Sequence, residues 1–197
     1  MRSRGAVPTL DQSSEDRMLK ATCNLLSALP VIALMAIPAA AGDGVWISTK
    51  SDAGALGRPG KVICYQTSMQ ENEAAVRATN ATRKARGLPA LKTNRDVATA
   101  AARHACDMAQ RSVMSHQGSK TRGPMQRLKK EGYKPSLAAE NIAAGPWGQD
   151  RVLAEWERSR GHLANILIPQ VRHYGIGKAL GADGKTVFWA AVYSAPR

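Results

Sequence analysis

From Ser68 onward the chain carries apolar stripes of helical period, and its last third switches to runs of strand period. Ser68-Met69-Gln70-Glu71 has the form of a capping box, in which Ser and Glu satisfy each other's orphan backbone N–H groups. It predicts a helix running to about Arg86, where Gly87 supplies a left-handed cap and Pro89 forbids continuation. Asn94 is placed to cap a second helix whose Val97, Ala101, His104, Ala105 and Met108 fall on one face. Pro124 suits the first turn of a short third helix ending at Gly132, and Val152, Leu153 and Trp156 mark the inner face of a fourth, closed by Gly161. Tyr174 to Leu180 and Thr186 to Ser194 read as strands joined by Gly181-Ala182-Asp183-Gly184, an antiparallel hairpin, with Ala138 to Ala143 as a further strand. Helices outnumber strands and the strands come late. The pattern predicts an α+β domain with helices packed over a small sheet.

The segment before this domain has a different character. Ala28 to Ala41 is uninterrupted apolar and follows Lys20. As a helix it would span about 21 Å, short of the ~30 Å hydrocarbon core. Pro30 and Pro38 also argue against a spanning helix, and Ala39-Ala40-Ala41 offers the small residues that precede a cleavage site. The stretch reads as a secretory signal, with an uncleaved anchor as the alternative, and Met18 is a more natural start than Met1. Gly42 to Gly60, rich in glycine, reads as a flexible linker. The expected organisation is residues 1–41 signal, 42–60 linker and 61–197 folded domain, in a secreted or periplasmic protein.

Composition sharpens this picture in two respects. Cys23 lies within the expected signal, which leaves Cys64 and Cys106, an even number in an oxidising compartment. One disulfide is the expectation, two buried thiols the alternative. Charge is strongly basic: 28 Lys and Arg stand against 15 Asp and Glu, a formal +13. Such a field attracts polyanions, and export makes anionic envelope polymers or lipids the expected partners rather than a specific nucleic acid. No Ser-His-Asp order, phosphate loop or cofactor fingerprint is present, which favours binding over catalysis.

Several short stretches resemble one family in order and spacing. They are Ser115-His116, Ala139-Glu140-Asn141-Ile142-Ala143, Trp156 followed by Ser159-Arg160-Gly161-His162-Leu163-Ala164-Asn165-Ile166-Leu167, and Gly175-Ile176-Gly177. Asn80, Arg83, Gly87-Leu88-Pro89 and Leu91 match the family's first helix and its exit, and Trp189 to Tyr193 its last strand. Together they resemble the bacterial branch of the CAP superfamily (the SCP-like domain of cysteine-rich secretory, antigen 5 and pathogenesis-related proteins). The resemblance covers roughly residues 66–194 and implies a three-layer α-β-α sandwich with a small antiparallel sheet and a concave cleft. It also implies that His116, Glu140 and His162 converge in that cleft. Where eukaryotic members place a second glutamate, this chain has Ser159, and Glu155 and Glu157 do not match that position.

Two imidazoles and a carboxylate are a ligand set of catalytic zinc sites, so Zn²⁺ or another divalent metal is a candidate cofactor. Without metal, the same groups suit acid–base chemistry or a polar cleft for a small ligand. The expected function is therefore an envelope binding module, with binding expected ahead of catalysis. The alternatives are a metal-assisted hydrolase using the same three residues and a structural or interaction domain. A monomer is expected. His104 reads as a core histidine on its apolar stripe, and His173 matches no site position. Trp147 is placed on a loop beside Glu140, as cleft rim or packed loop. Lys120, Arg122, Arg127, Lys129, Lys130 and Lys134 read as a solvated basic face.

Overall fold

A computed structural model describes residues 61–66 and 68–197. The expected signal, its cleavage site and the linker lie outside the described residues. The element order is β1 (Ile63–Cys64), α1 (Met69–Lys84), β2 (Lys92–Thr93), α2 (Arg95–Arg111), α3 (Pro124–Lys130), β3 (Pro135–Gly145), α4 (Gln149–Arg158), α5 (Arg160–Ile166), β4 (His173–Leu180) and β5 (Val187–Pro196). Among these residues no helix is long and apolar enough to cross a membrane.

Local chemistry accounts for most boundaries. The capping box forms as read: Glu71 N–H donates to Ser68 Oγ and Ser68 N–H to Glu71 Oε2, each at 3.1 Å. Gly87 follows α1 with φ +67°, a conformation that favours glycine. Asn94 Oδ1 accepts from Asp96 and Val97 N–H and starts α2. One boundary departs from the sequence reading. Gly161 does not close the fourth helix; α4 stops at Arg158, Ser159 adopts extended backbone, and a separate helix, α5, begins at Arg160 and runs through Gly161.

The sheet runs β1-β4-β5-β3, with β2 pairing β4 in parallel off this path. β4 and β5 form the expected antiparallel hairpin, and β5 pairs with the longer β3. Strand alternation splits the core into two. Trp189, Ala191 and Tyr193 face one cluster with Val152, Leu153, Trp156 and Ile166. Phe188, Ala190 and Val192 face the other with Val97, Ala101, Ala105, Met108 and Leu128. The result is three layers: α1, α4 and α5, then the sheet, then α2 and α3.

Two glycines set how closely α2 approaches. A Cβ on Gly175 would lie 2.2 Å from Ala98 N, and one on Gly177 would lie 2.2 Å from Ala102 Cα. The backbone of β4 therefore touches the small-residue face of the helix directly. Cys64 and Cys106 are disulfide-bonded, with Cα atoms 5.1 Å apart, and tie the sheet edge at β1 to α2.

Candidate functional site

β3 is paired only on its β5 side, and its consecutive residues point into different layers. Glu140 lies on the α2/α3 face and Asn141 on the α5 face. On the outer edge of the strand, Asn165 Nδ2 donates to Glu140 O at 3.1 Å and Trp156 Nε1 to Ile142 O at 3.3 Å. These bonds explain the Trp156 and Asn165 positions of the sequence motif: they dock α4 and α5 against the strand carrying Glu140.

The Glu140 side chain is almost entirely enclosed, and both its oxygens have partners. Oε1 lies 2.9 Å from His116 Nδ1, and Oε2 accepts from Arg127 Nη2 at 2.5 Å. His104 Nε2 stands 3.6 Å from Oε1, beyond hydrogen-bond distance. Burial pushes the Glu140 pKa up, but the His116 hydrogen bond and the charges of His104 and Arg127 outweigh it, and the net shift is downward. An ionised carboxylate only accepts, so His116 Nδ1 must carry the proton, which leaves Nε2 of the neutral ring as the free acceptor. The His116 side chain is 56% exposed, so a buried carboxylate holds a solvent-facing imidazole.

The loop bearing His116 joins α2 to α3 and is fastened from three sides. Asp107 accepts from Ser119 N–H, Arg111 Nη2 donates to Gln117 O, and Arg127 Nη1 donates to His116 O and Thr121 Oγ1. His116 is thus held at both its ring and its backbone. Arg127 is 6% exposed. The sequence reading placed it on a solvated basic face, and the structure corrects this: Lys120, Arg122, Lys129, Lys130 and Lys134 are exposed, whereas Arg127 turns inward to Glu140.

His162 reaches the site from α5, across the edge of β3. Its Nδ1 lies 2.8 Å from Ser159 Oγ, and its backbone carbonyl accepts from Asn141 Nδ2 at 3.1 Å. Burial lowers its pKa, and the charge of nearby His116 lowers it further. Of the three residues taken from the sequence, His116 and Glu140 are in direct contact, while His162 hydrogen-bonds neither of them.

As placed, neither Glu140 oxygen is free to ligate a cation. A zinc ligand oxygen must approach to about 2.0–2.2 Å, whereas one Glu140 oxygen is held by a guanidinium and the other by an imidazole N–H. Among the described residues no group of three or more His, Cys, Asp or Glu side chains is arranged to hold a metal ion.

The other sequence candidates lie in the core or in structural contacts. His104 is 1% exposed in the core beside Glu140, and burial is the chief reason its pKa falls to about 4. His173 Nδ1 lies 2.7 Å from the Tyr133 hydroxyl. Half-buried Trp147 packs its ring on Gly145, and its carbonyl accepts from Trp189 Nε1. Glu157 accepts from Thr82 Oγ1, and Glu155 pairs with Arg151. Arg83 donates to the carbonyls of Pro89, Ile166 and Ile168, and Asn80 brackets Leu91, so these motif residues brace the chain ends around α1. A cavity of about 670 Å³ lies elsewhere, beside the disulfide and α2.

Comparison with known proteins agrees with this architecture. The model of the cysteine-rich secretory protein (CAP) family matches residues 76–193, more than half of the chain. The uncharacterized protein YkwD of Bacillus subtilis is 31% identical over 119 residues, which is 60% of this chain and 44% of that protein. The chain thus spans less than half the length of this curated relative. An extracellular SCP-domain protein of Bacillus anthracis superposes with TM-score 0.57 at 27% identity, covering 64% of this chain and 40% of that one. An outer surface protein of Borrelia burgdorferi shares the fold with TM-score 0.60 at 18% identity, covering 70% and 99% respectively. Motif order, three-layer architecture and family match converge: the chain belongs to the CAP (cysteine-rich secretory protein) family, and bacterial members are among the proteins it resembles.

Proposed function

We propose that this chain is an exported binding module of the bacterial cell envelope, in which a basic face gathers the protein onto anionic polymers or lipid head groups and the adjoining cleft takes a small polar ligand. The observation that carries this reading is the placement of the cations. Lys120 and Arg122 lie on the same short loop as His116, and Lys129 and Lys130 follow on α3; all four are exposed and none is in an ion pair among the described residues. A polyanion drawn to them passes beside the imidazole. In the cleft, His116 Nε2 offers an acceptor and the Ser159–His162 pair a second polar group. A resident zinc or other divalent ion is not part of this reading, which rests on the exposed cations and the polar groups beside them. The extracellular and outer-surface relatives support an envelope location for this chain.

The test is cosedimentation of the mature chain with isolated bacterial wall sacculi across a salt series. Binding should weaken steeply as salt rises, because screening shortens the reach of surface charge to ~3 Å at 1 M. It should also weaken in a Lys120→Glu, Arg122→Glu, Lys129→Glu variant that remains folded. Binding unaffected by salt and by these reversals would contradict the proposal.

A further inference from the structure

We propose that the recess between α2 and α3, beside the loop that carries His116, is a phosphate-binding site, and that its occupant is a phosphodiester group of an anionic envelope polymer. The choice of polymer rests on the envelope reading. The site itself does not, because free phosphate tests it.

Three observations carry the site. First, a cavity of about 250 Å³ opens there, lined from α2 by His104 and Asp107, from the loop by Ser119, Lys120 and Thr121, and from α3 by Lys130. One water takes roughly 30 Å³ of liquid, so the space suits a phosphate with its ester carbons. Second, the charges around it do not cancel. Arg103 and Glu131 pair with each other, Asp107 pairs with Arg111, and Arg127 is committed to Glu140. Lys120 and Lys130 are exposed and in no ion pair among the described residues. Lys130 Nζ donates to Lys120 O at 2.9 Å, which leaves its other N–H groups and the whole Lys120 ammonium for an anion. Third, the buried wall holds polar atoms without a protein partner. His104 is 1% exposed with neither ring nitrogen hydrogen-bonded, and Arg127, which also lines the cavity, is 6% exposed with Nε unbonded. Buried polar groups are nearly always paired, so this wall suits a polar occupant.

Phosphate fits the recess better than a carboxylate does. Its tetrahedral oxygens can meet ammonium groups from the loop and from α3 at once, together with the Ser119 and Thr121 hydroxyls, whereas a carboxylate is planar. A polymer fits better than a bilayer. The exposed large apolar side chains among the described residues, Ile63, Tyr65 and Met69, do not line this cavity, so its rim has nothing to enter a membrane.

The experiment follows the ¹⁵N-labelled mature chain by NMR at constant ionic strength as inorganic phosphate is added, with acetate as the control. Phosphate should shift the Ser119 to Thr121 amides and the His104 ring saturably, and acetate should not. Lys120→Ala/Lys130→Ala should weaken phosphate binding at least about tenfold, the scale of one lost charge-assisted hydrogen bond. Lys129→Ala/Lys134→Ala removes the same charge from residues that do not line the cavity and should stay within about threefold of wild type. If the first variant does not fold, Lys120→Ala alone carries the test, since that side chain is exposed and unpaired among the described residues. Poly(glycerol phosphate) should compete with free phosphate, and phosphatidylglycerol vesicles should not. Equal weakening by the two variant pairs, equal shifts with acetate, or no saturable phosphate shift would overturn the site. Vesicle binding that depends on Lys120 and Lys130 would overturn the polymer. Salt-sensitive binding to sacculi that survives intact in Lys120→Ala/Lys130→Ala would overturn this inference and leave the envelope reading standing.

Discussion

At the scale of single residues, the buried pair of Glu140 and Arg127 has the largest consequences. Glu140→Gln would leave Arg127 buried without a counter-charge, and breaking such pairs costs about 3–5 kcal/mol. Chemical denaturation of the variant should show a loss of that size, and a loss under about 1 kcal/mol would mean that the pair is solvated. His104 makes a separate contribution with a definite sign. Its pKa falls from 6.5 to about 4 in the folded protein, so between those values the unfolded chain binds a proton that the native chain does not. Stability from this group is fully present above about pH 6.5 and declines as pH drops toward 4, by on the order of 3 kcal/mol. Below the ordinary carboxylate value of 4.5, Glu140 adds a further loss, because its own pKa is lowered by folding. Denaturant midpoints measured from pH 7 to pH 4 should slope downward, and His104→Gln should flatten the slope; a parallel slope in the variant would assign it to other groups. The role of His104 as a core histidine was legible, because it sits on the apolar stripe of α2. The role of Arg127 was not. It lies in a run of five other cations that are all exposed, and nothing in residue type or spacing separates the one that turns inward.

At the scale of elements, legibility followed the range of the interaction. Capping signals act within four residues, so the starts of α1 and α2 could be read directly from Ser68, Glu71 and Asn94. The two-residue strands β1 and β2 have no periodic signal and exist only because β4 offers them an edge. The break between α4 and α5 was missed because Gly161, a residue that commonly ends helices, here lies inside one; the chain bends two residues earlier, at Ser159. Gly175 and Gly177 stood out as a motif, but their purpose needs the third dimension: they let α2 lie against β4. Gly177→Ala should therefore force the helix outward and cost about 1–3 kcal/mol, with a lowered unfolding temperature. Gly87→Ala is the comparison. It has open space around its Cβ and suffers only the left-handed backbone penalty of about 1–2 kcal/mol. If Gly87→Ala proved the more damaging of the two, close helix–strand contact would not be what Gly177 provides.

At the scale of the whole molecule, the sheet is the frame on which two helical layers meet at the edge of β3, and the disulfide fastens its opposite edge to α2. Cys64 and Cys106 are 42 residues apart, and in the chain-entropy model closing a loop of that length contributes about 3–4 kcal/mol. Reduction, or the Cys64→Ser/Cys106→Ser variant, should lower denaturant stability by that amount without changing the cleft. The three-layer division also explains why the site was only partly legible. Sequence motifs pointed to His116, Glu140 and His162, yet Glu140 faces the α2/α3 layer while His162 is anchored on α5. A motif match carries residue identity but not which side chain meets which.

The central claim is that a buried, Arg127-paired Glu140 fixes His116 with its free Nε2 toward solvent. Long-range ¹⁵N–¹H NMR of the histidine rings tests it most directly, because it reads the tautomer of each neutral imidazole. The account predicts that neutral His116 is the Nδ1–H form, bonded to Glu140, and that Glu140→Gln weakens this preference. A neutral His116 in the Nε2–H form, with Nδ1 unprotonated beside Glu140, would contradict it.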